Sequence, residues 1–234
     1  MILGHRLSEL CGHGPNLETD IALTNISLDF FGQVRSYFQY AATLKGESYD
    51  EDKIAFLRTE REYYNTILVE QANTDFAYVI VRQFLFDVYH KELLEQLMQS
   101  ADETISAIAN KSIKECRYHL RFSSEWIKRL GNGTEESRKR TQTALEDLYV
   151  YSHELTKETE TEKIMHEAGI GADLKMIEKS YWPSVHAVIE EAGLKIPESP
   201  HRIAKGKEGF HSEKLGYILS ELQYMQRAYP DMQW

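Results

Sequence analysis

The chain places carboxylates and histidines at helical positions that ought to be apolar. Asp87 and His90 lie three residues apart, after Ile80 and Phe84 and before Leu94 on one side of an expected helix. Glu115 and His119 lie four apart, between Ser112 and Phe122. Asp29 occupies a stripe of small or polar residues formed by Ala22, Asn25, Gly32 and Ser36, which would let another helix approach closely. Glu62 is a further candidate, and Glu146 and His153 fall near the same level. Carboxylates from several helices plus carboxylate-x-x-His pairs facing inward are how a helical bundle holds two irons. Oxygens bridge the metals and neutralise their charge, and imidazoles complete each coordination sphere.

That set is incomplete here. Asp87-x-x-His90 has no second carboxylate-x-x-His pair, because Glu115 and His119 are spaced by four. Asp29, Asp87, His90, Glu115 and His119 are therefore read as a vestigial di-iron cluster, with no catalytic, cofactor-binding or working metal residue assigned. A polar network involving Arg35, Arg61, Asn65, Arg82 or Arg117 would satisfy such buried charges where a metal once sat. A working metal site and unrelated surface positions are the other two readings.

The elements that must position these residues are long helices, since 3.6-residue periodicity recurs and strand-like alternation is not sustained. The first is expected from Asn16 or Asp20 to Leu44, burying Ile21, Leu28, Phe31, Phe38 and Ala41. A second is expected over Glu51–Glu70, a third over Phe76–Gln99, and a fourth from Asp102 to the stop at Gly131-Asn132-Gly133. A fifth runs from Thr134 or Ser137 to Ala168, and a sixth from Asp173 to Ala192 that Pro183 kinks or splits. An irregular arm, Pro197–Gly209, precedes a last helix over Leu215–Tyr229. Long helices with short connections predict an all-α bundle. Residues 1–234 are read as one domain, with 169–234 as a C-terminal helical extension and arm.

Composition limits the function classes. The chain has 234 residues, 42% apolar and 27% charged, with a net charge of −10. That balance argues against a nucleic-acid surface, which must match phosphates with positive charge. No apolar run reaches the roughly 18 residues of a membrane span, and no signal peptide is evident, so a cytoplasmic protein is expected. Cys11 and Cys116 form no metal or redox motif. Fourteen tyrosines and three tryptophans suit protein interfaces as well as cores. Lys205-Gly206-Lys207, with His201 and Arg202 nearby, is a basic spot read as a solvent-exposed loop, or as a contact for an acidic partner or a ligand phosphate. Met232-Gln233-Trp234 is an apolar tail expected to tuck against this chain or a partner, and His13 and His211 are expected to make loop or helix-end hydrogen bonds.

Ordered matches along most of the chain carry a family resemblance. They include Glu9-Leu-Cys-Gly-His-Gly-Pro15, Asp20-Ile-Ala-Leu-Thr-Asn-Ile-Ser-Leu-Asp29, Arg61-Glu-Tyr-Tyr-Asn65, Lys114-Glu-Cys-Arg-Tyr-His-Leu-Arg121, Arg129-Leu-Gly-Asn-Gly-Thr134 and Gly209-Phe-His-Ser-Glu213. With these the chain resembles the PaaC subunits of bacterial phenylacetyl-CoA epoxidase (ring-1,2-epoxidase) complexes. The resemblance implies a ferritin-like fold and a structural, non-catalytic role beside a PaaA-like subunit. In such complexes PaaA holds the di-iron centre and most of the phenylacetyl-CoA, and a reductase subunit supplies electrons from NADPH through flavin and iron–sulfur groups. No cofactor is then expected in this chain, and the other epoxidase subunits are its expected partners. An independently active di-iron oxygenase or ferritin-like oxidase is the alternative, and a ferritin-like binding or storage protein a third reading.

Overall fold

The computed structural model describes residues 1–198 and 204–230. The chain folds as an all-α, ferritin-like bundle, and its centre is made by α2 (Leu17–Lys45), α4 (Phe76–Leu97), α5 (Glu103–Gly131) and α6 (Glu135–Thr156). Around them lie α1 (Ile2–Ser8), α3 (Glu51–Phe56), α7 (Glu160–Glu167), α8 (Leu174–Glu191), α9 (Glu213–Leu222) and α10 (Tyr224–Ala228). Of these helices α4 is the most enclosed: Val79 to Leu85 are buried without interruption, so it presents no polar face to water there. α5 is the opposite case, amphipathic, with Ala109, Ile113, Cys116 and Ile127 turned inward.

Side chains that accept orphan N–H groups set the helix starts. Asn16 accepts from Thr19 N (2.9 Å), Asp75 from Tyr78 N (3.0 Å) and Thr134 from Ser137 N (3.1 Å). Asp102 and Asp173 each accept two such amides. Asp20, the rival start for α2, instead accepts from Gly12 N and Gly14 N and closes the preceding loop.

Four expected elements differ. Glu51–Glu70 is not one helix: α3 ends at Phe56, and 3-10 turns at Glu60–Glu62 and Ile67–Glu70 follow. Thr59 and Glu62 close a capping box that starts a new turn, and the Ile67–Glu70 turn is held from outside, by Glu154 at Ile67 N and by Ser212 at the Glu70 carboxylate. The long fifth helix divides at Lys157, where Thr159 and Glu162 form a second capping box and open α7. The last helix breaks at Gln223, which separates α9 from α10. Pro183 is carried inside α8 without splitting it, because it lies on the exposed side where water satisfies the carbonyl it leaves unpaired. Ile21 and Leu28, expected in the core, are exposed, as are Leu57 and Tyr64.

The C-terminal segment 204–230 docks on the 57–71 stretch largely through polar groups. Glu70 is fully buried; Asn65 Nδ2 (2.9 Å) and His211 Nδ1 (2.6 Å) donate to one oxygen, Ser212 N (2.9 Å) and Ser212 Oγ (2.6 Å) to the other. His211 Nε2 lies 2.7 Å from the Tyr63 carbonyl. Both ring nitrogens thus face acceptors, so His211 is an imidazolium. Burial opposes that charge, but the hydrogen bonds to Glu70 and to Tyr63 prevail and raise its pKa. Buried Glu154 accepts from Ile67 N (2.7 Å) and Lys207 N (3.1 Å), joining the same two segments. At Gly206 an added Cβ would stand 2.3 Å from the Asn65 carbonyl oxygen, so only glycine permits this approach. Lys205 is exposed, but Lys207 is engaged with Glu162 (2.6 Å) and two carbonyls, which corrects the reading of this spot as a wholly solvent-exposed loop. His201, Arg202 and the Met232-Gln233-Trp234 tail lie outside the described residues.

Candidate functional site

The five candidates come from three adjacent helices: Asp29 from α2, Asp87 and His90 from α4, Glu115 and His119 from α5. The geometry joins only some of them. His119 Nε2 is 2.9 Å from Asp29 Oδ2, with His119 fully buried and the Asp29 side chain one-third exposed. Phe30 packs on both imidazoles, 5.2 Å from the His119 ring and 5.8 Å from that of His90, and Phe86 packs on His90 at 5.3 Å. Glu115 points instead to Gln33, whose Nε2 donates to it at 2.9 Å. Asp87, deeper still, accepts from Gln83 Nε2 (2.6 Å) on one oxygen and from Ser123 Oγ (2.8 Å) on the other.

Burial works against charge on the deepest of these groups. Desolvation drives the Asp87 pKa far above the usual carboxylate range, against the two hydrogen bonds that favour its anion. Desolvation, with His119 nearby, pulls His90 down to about 3. Desolvation also lowers His119, and its bond to Asp29 opposes that shift. At neutral pH both imidazoles are uncharged, and burial favours the protonated form of Asp87 to well above the usual carboxylate range. His119 donates through Nε2, so its unpartnered Nδ1 is a bare lone pair, less costly to bury unpaired than an N–H.

This arrangement does not fit a di-iron centre. Both oxygens of Asp87 meet hydrogen-bonding side chains, Glu115 is turned to an amide, and Phe30 packs on both histidines. Among the described residues no group of three or more His, Cys, Asp and Glu side chains is disposed to hold a metal. The remaining candidates lie elsewhere. Glu62 caps its own turn through Thr59, Glu146 pairs with Gln142 at the surface, and His153 packs on Trp182 at 4.5 Å.

The arginine network expected here is also absent from this place. Arg82 is fully buried, but it serves the Gln71 carbonyl and Asn73 (2.7 Å). Arg35 meets Glu51 at 3.6 Å, Arg117 meets Glu95 at 3.3 Å, Arg61 lies over Phe210, and Asn65 belongs to the Glu70 cluster. The groups that satisfy the interior are the neutral side chains Gln33, Gln83 and Ser123. Sequence reasoning passed over them, though each stands four residues from a candidate: Asp29, Asp87 and His119 respectively. That is one helical turn, and it was the available signal. Glu70, Glu154 and His211 were likewise not foreseen as a buried cluster.

Two comparisons bear on this architecture. The family of phenylacetic acid catabolic proteins (PaaA/PaaC) matches residues 1–234. The chain is also similar to the C subunit of the 1,2-phenylacetyl-CoA epoxidase of Escherichia coli strain K12, 45% identical over 234 residues, which is 100% of this chain and 94% of that protein. The match is full-length in both comparisons, and the chain belongs to the phenylacetic acid catabolic protein family.

Proposed function

We propose that this protein is a structural subunit of a multicomponent di-iron epoxidase acting on phenylacetyl-CoA. In this reading it forms one domain over residues 1–234, holds a PaaA-like catalytic subunit in its active arrangement, and contacts the other subunits of the complex. The observation that carries the proposal is the 45% identity, extending over the whole chain, to a protein named as one subunit of a 1,2-phenylacetyl-CoA epoxidase. The constellation around Asp87 supports the division of labour: Asp29, Asp87, His90, Glu115 and His119 tie α2, α4 and α5 together as hydrogen-bonding and packing groups. The di-iron centre belongs to the catalytic partner, which also holds most of the substrate, and the NADPH, flavin and iron–sulfur groups belong to a reductase. No helix among the described residues is long and apolar enough to cross a membrane, which is compatible with a cytoplasmic location.

Reconstitution tests this. The catalytic subunit and reductase, given phenylacetyl-CoA and NADPH, should turn over only when this chain is added, and this chain with the reductase alone should be inactive. Turnover by this chain with the reductase, without a catalytic partner, refutes the proposal in favour of an independent oxygenase.

A further inference from the structure

We infer that the α2–α5 face is the docking surface for a helix of the catalytic subunit, one with a small-residue or apolar seam flanked by carboxylates. The inference rests on the structural-subunit reading above and specifies where that contact lies. On α2 the solvent side carries Leu17 (70% exposed), Ile21 (50%) and Leu28 (60%), continuing through Gly32. The spacing of four, seven and four residues keeps them on one stripe. Soluble helices turn such a stripe inward, and among the described residues no element of this chain covers it. Beside it a groove of about 540 Å³ separates α2 from α5. Its α2 wall is small at Thr19 and Ala22, and its α5 wall is aromatic at Tyr118, Phe122 and Trp126. At Gly32 an added Cβ would meet nothing within 4 Å, so the position is open to a neighbour.

Charge selects the partner. α5 carries six lysines and arginines against three glutamates, in a chain whose net charge is −10. Among the described residues Lys111, Lys114, Arg121 and Arg129 have no ion pair within the chain. Arg121 and Arg129 flank the groove over Tyr118 and Trp126, at 5.8 and 4.8 Å from the ring centres. Glu18 and Glu125 also line it, so the surplus is basic without being uniform. Arginine above an aromatic ring beside exposed leucine and isoleucine is the composition of an interface core with a charged rim. A basic rim on an acidic protein favours an acidic partner face and disfavours a second copy of this chain.

The test uses Gly32→Leu, Leu28→Glu and Arg121→Glu/Arg129→Glu in the full chain, each titrated against the catalytic subunit. None of these changes touches the buried core, so melting temperatures should stay near the wild-type value for Leu28→Glu and the charge-reversed pair and rise for Gly32→Leu, which replaces an open glycine inside α2. Met176→Glu, an exposed substitution on α8, serves as control. The inference predicts affinity at least about ten-fold weaker for each face variant, unchanged affinity for the control, and binding that weakens with salt for wild type but less for the charge-reversed pair. Complex formation unaffected by all three face variants overturns the inference and leaves the structural-subunit reading standing. Self-association of the chain that the same variants abolish also overturns it, by assigning the face to a second copy. A wild-type chain that binds no catalytic subunit overturns both readings.

Discussion

Replacing Asp87 by asparagine tests the claim that burial holds a proton on this carboxyl beyond the usual carboxylate range. In the unfolded chain an aspartate titrates near pH 4; in the fold, desolvation holds its proton well above that. The folded state therefore binds more protons than the unfolded state as soon as pH exceeds about 4. Stability must then fall with rising pH, by about 1.4 kcal/mol per unit for this one proton, until the folded group itself ionises. The Asp87→Asn side chain has nearly the same shape and no proton to lose, so the variant lacks this slope. The introduced amide is also provided for. The Oε1 of Gln83 is buried without a donor, and the new side-chain NH2, beside a reoriented Gln83, would supply one while Ser123 continues to donate to the remaining oxygen. Urea unfolding of both proteins between about pH 4 and pH 8 measures the difference. Asp87→Asn should match wild type near pH 4 and gain on it steadily above. A variant several kcal/mol less stable at pH 8, with the gap widening as pH rises, would show Asp87 to be a stabilised anion and would refute the reasoning.

Three further outcomes follow from the same structure. Glu70→Gln removes the charge that His211 faces in a buried pair; the stretch 204–230 should lose protection from hydrogen exchange, with a cost of about 3–5 kcal/mol. In wild type the raised pKa of His211 makes its contribution complete below about pH 6.5 and lost as pH rises through the folded value, so protection of this segment should decline toward alkaline pH. Gly206→Ala and Gly131→Ala would each place a Cβ 2.3 Å from a carbonyl oxygen, of Asn65 and Ala192 respectively, and thermal unfolding should report losses of about 1–3 kcal/mol each. A thiol titration should find Cys11 reactive in the native protein and Cys116 reactive only on unfolding, since Cys116 is buried and its desolvation raises the thiol pKa far above normal.

The bundle was legible because helix starts depend on local chemistry. Asn16, Asp75, Asp102, Thr134 and Asp173 each cap the helix that the sequence places after them. The stretch from Leu57 to Gln71 was not legible. Its turns are held by Glu154 and by the C-terminal segment, both far away in sequence, and periodicity cannot represent long-range support of that kind. At the site, the unusual residues were visible, but what surrounds them was not. Carboxylates and histidines on an apolar stripe stand out, whereas Gln33, Gln83 and Ser123 are ordinary helix residues until their partners are known. Ile21 and Leu28 show a third limit, since apolar residues at helical spacing signal burial without saying whether this chain or another one buries them.

The metal content of the isolated chain, produced with ample iron and assayed beside its complex with the catalytic subunit, tests the central claim most directly. The account predicts iron far below one per isolated chain, and iron in the complex that scales with the catalytic subunit alone. About two irons per isolated chain, lost when Asp87 and His119 are replaced, would contradict it and make the constellation a working di-iron site.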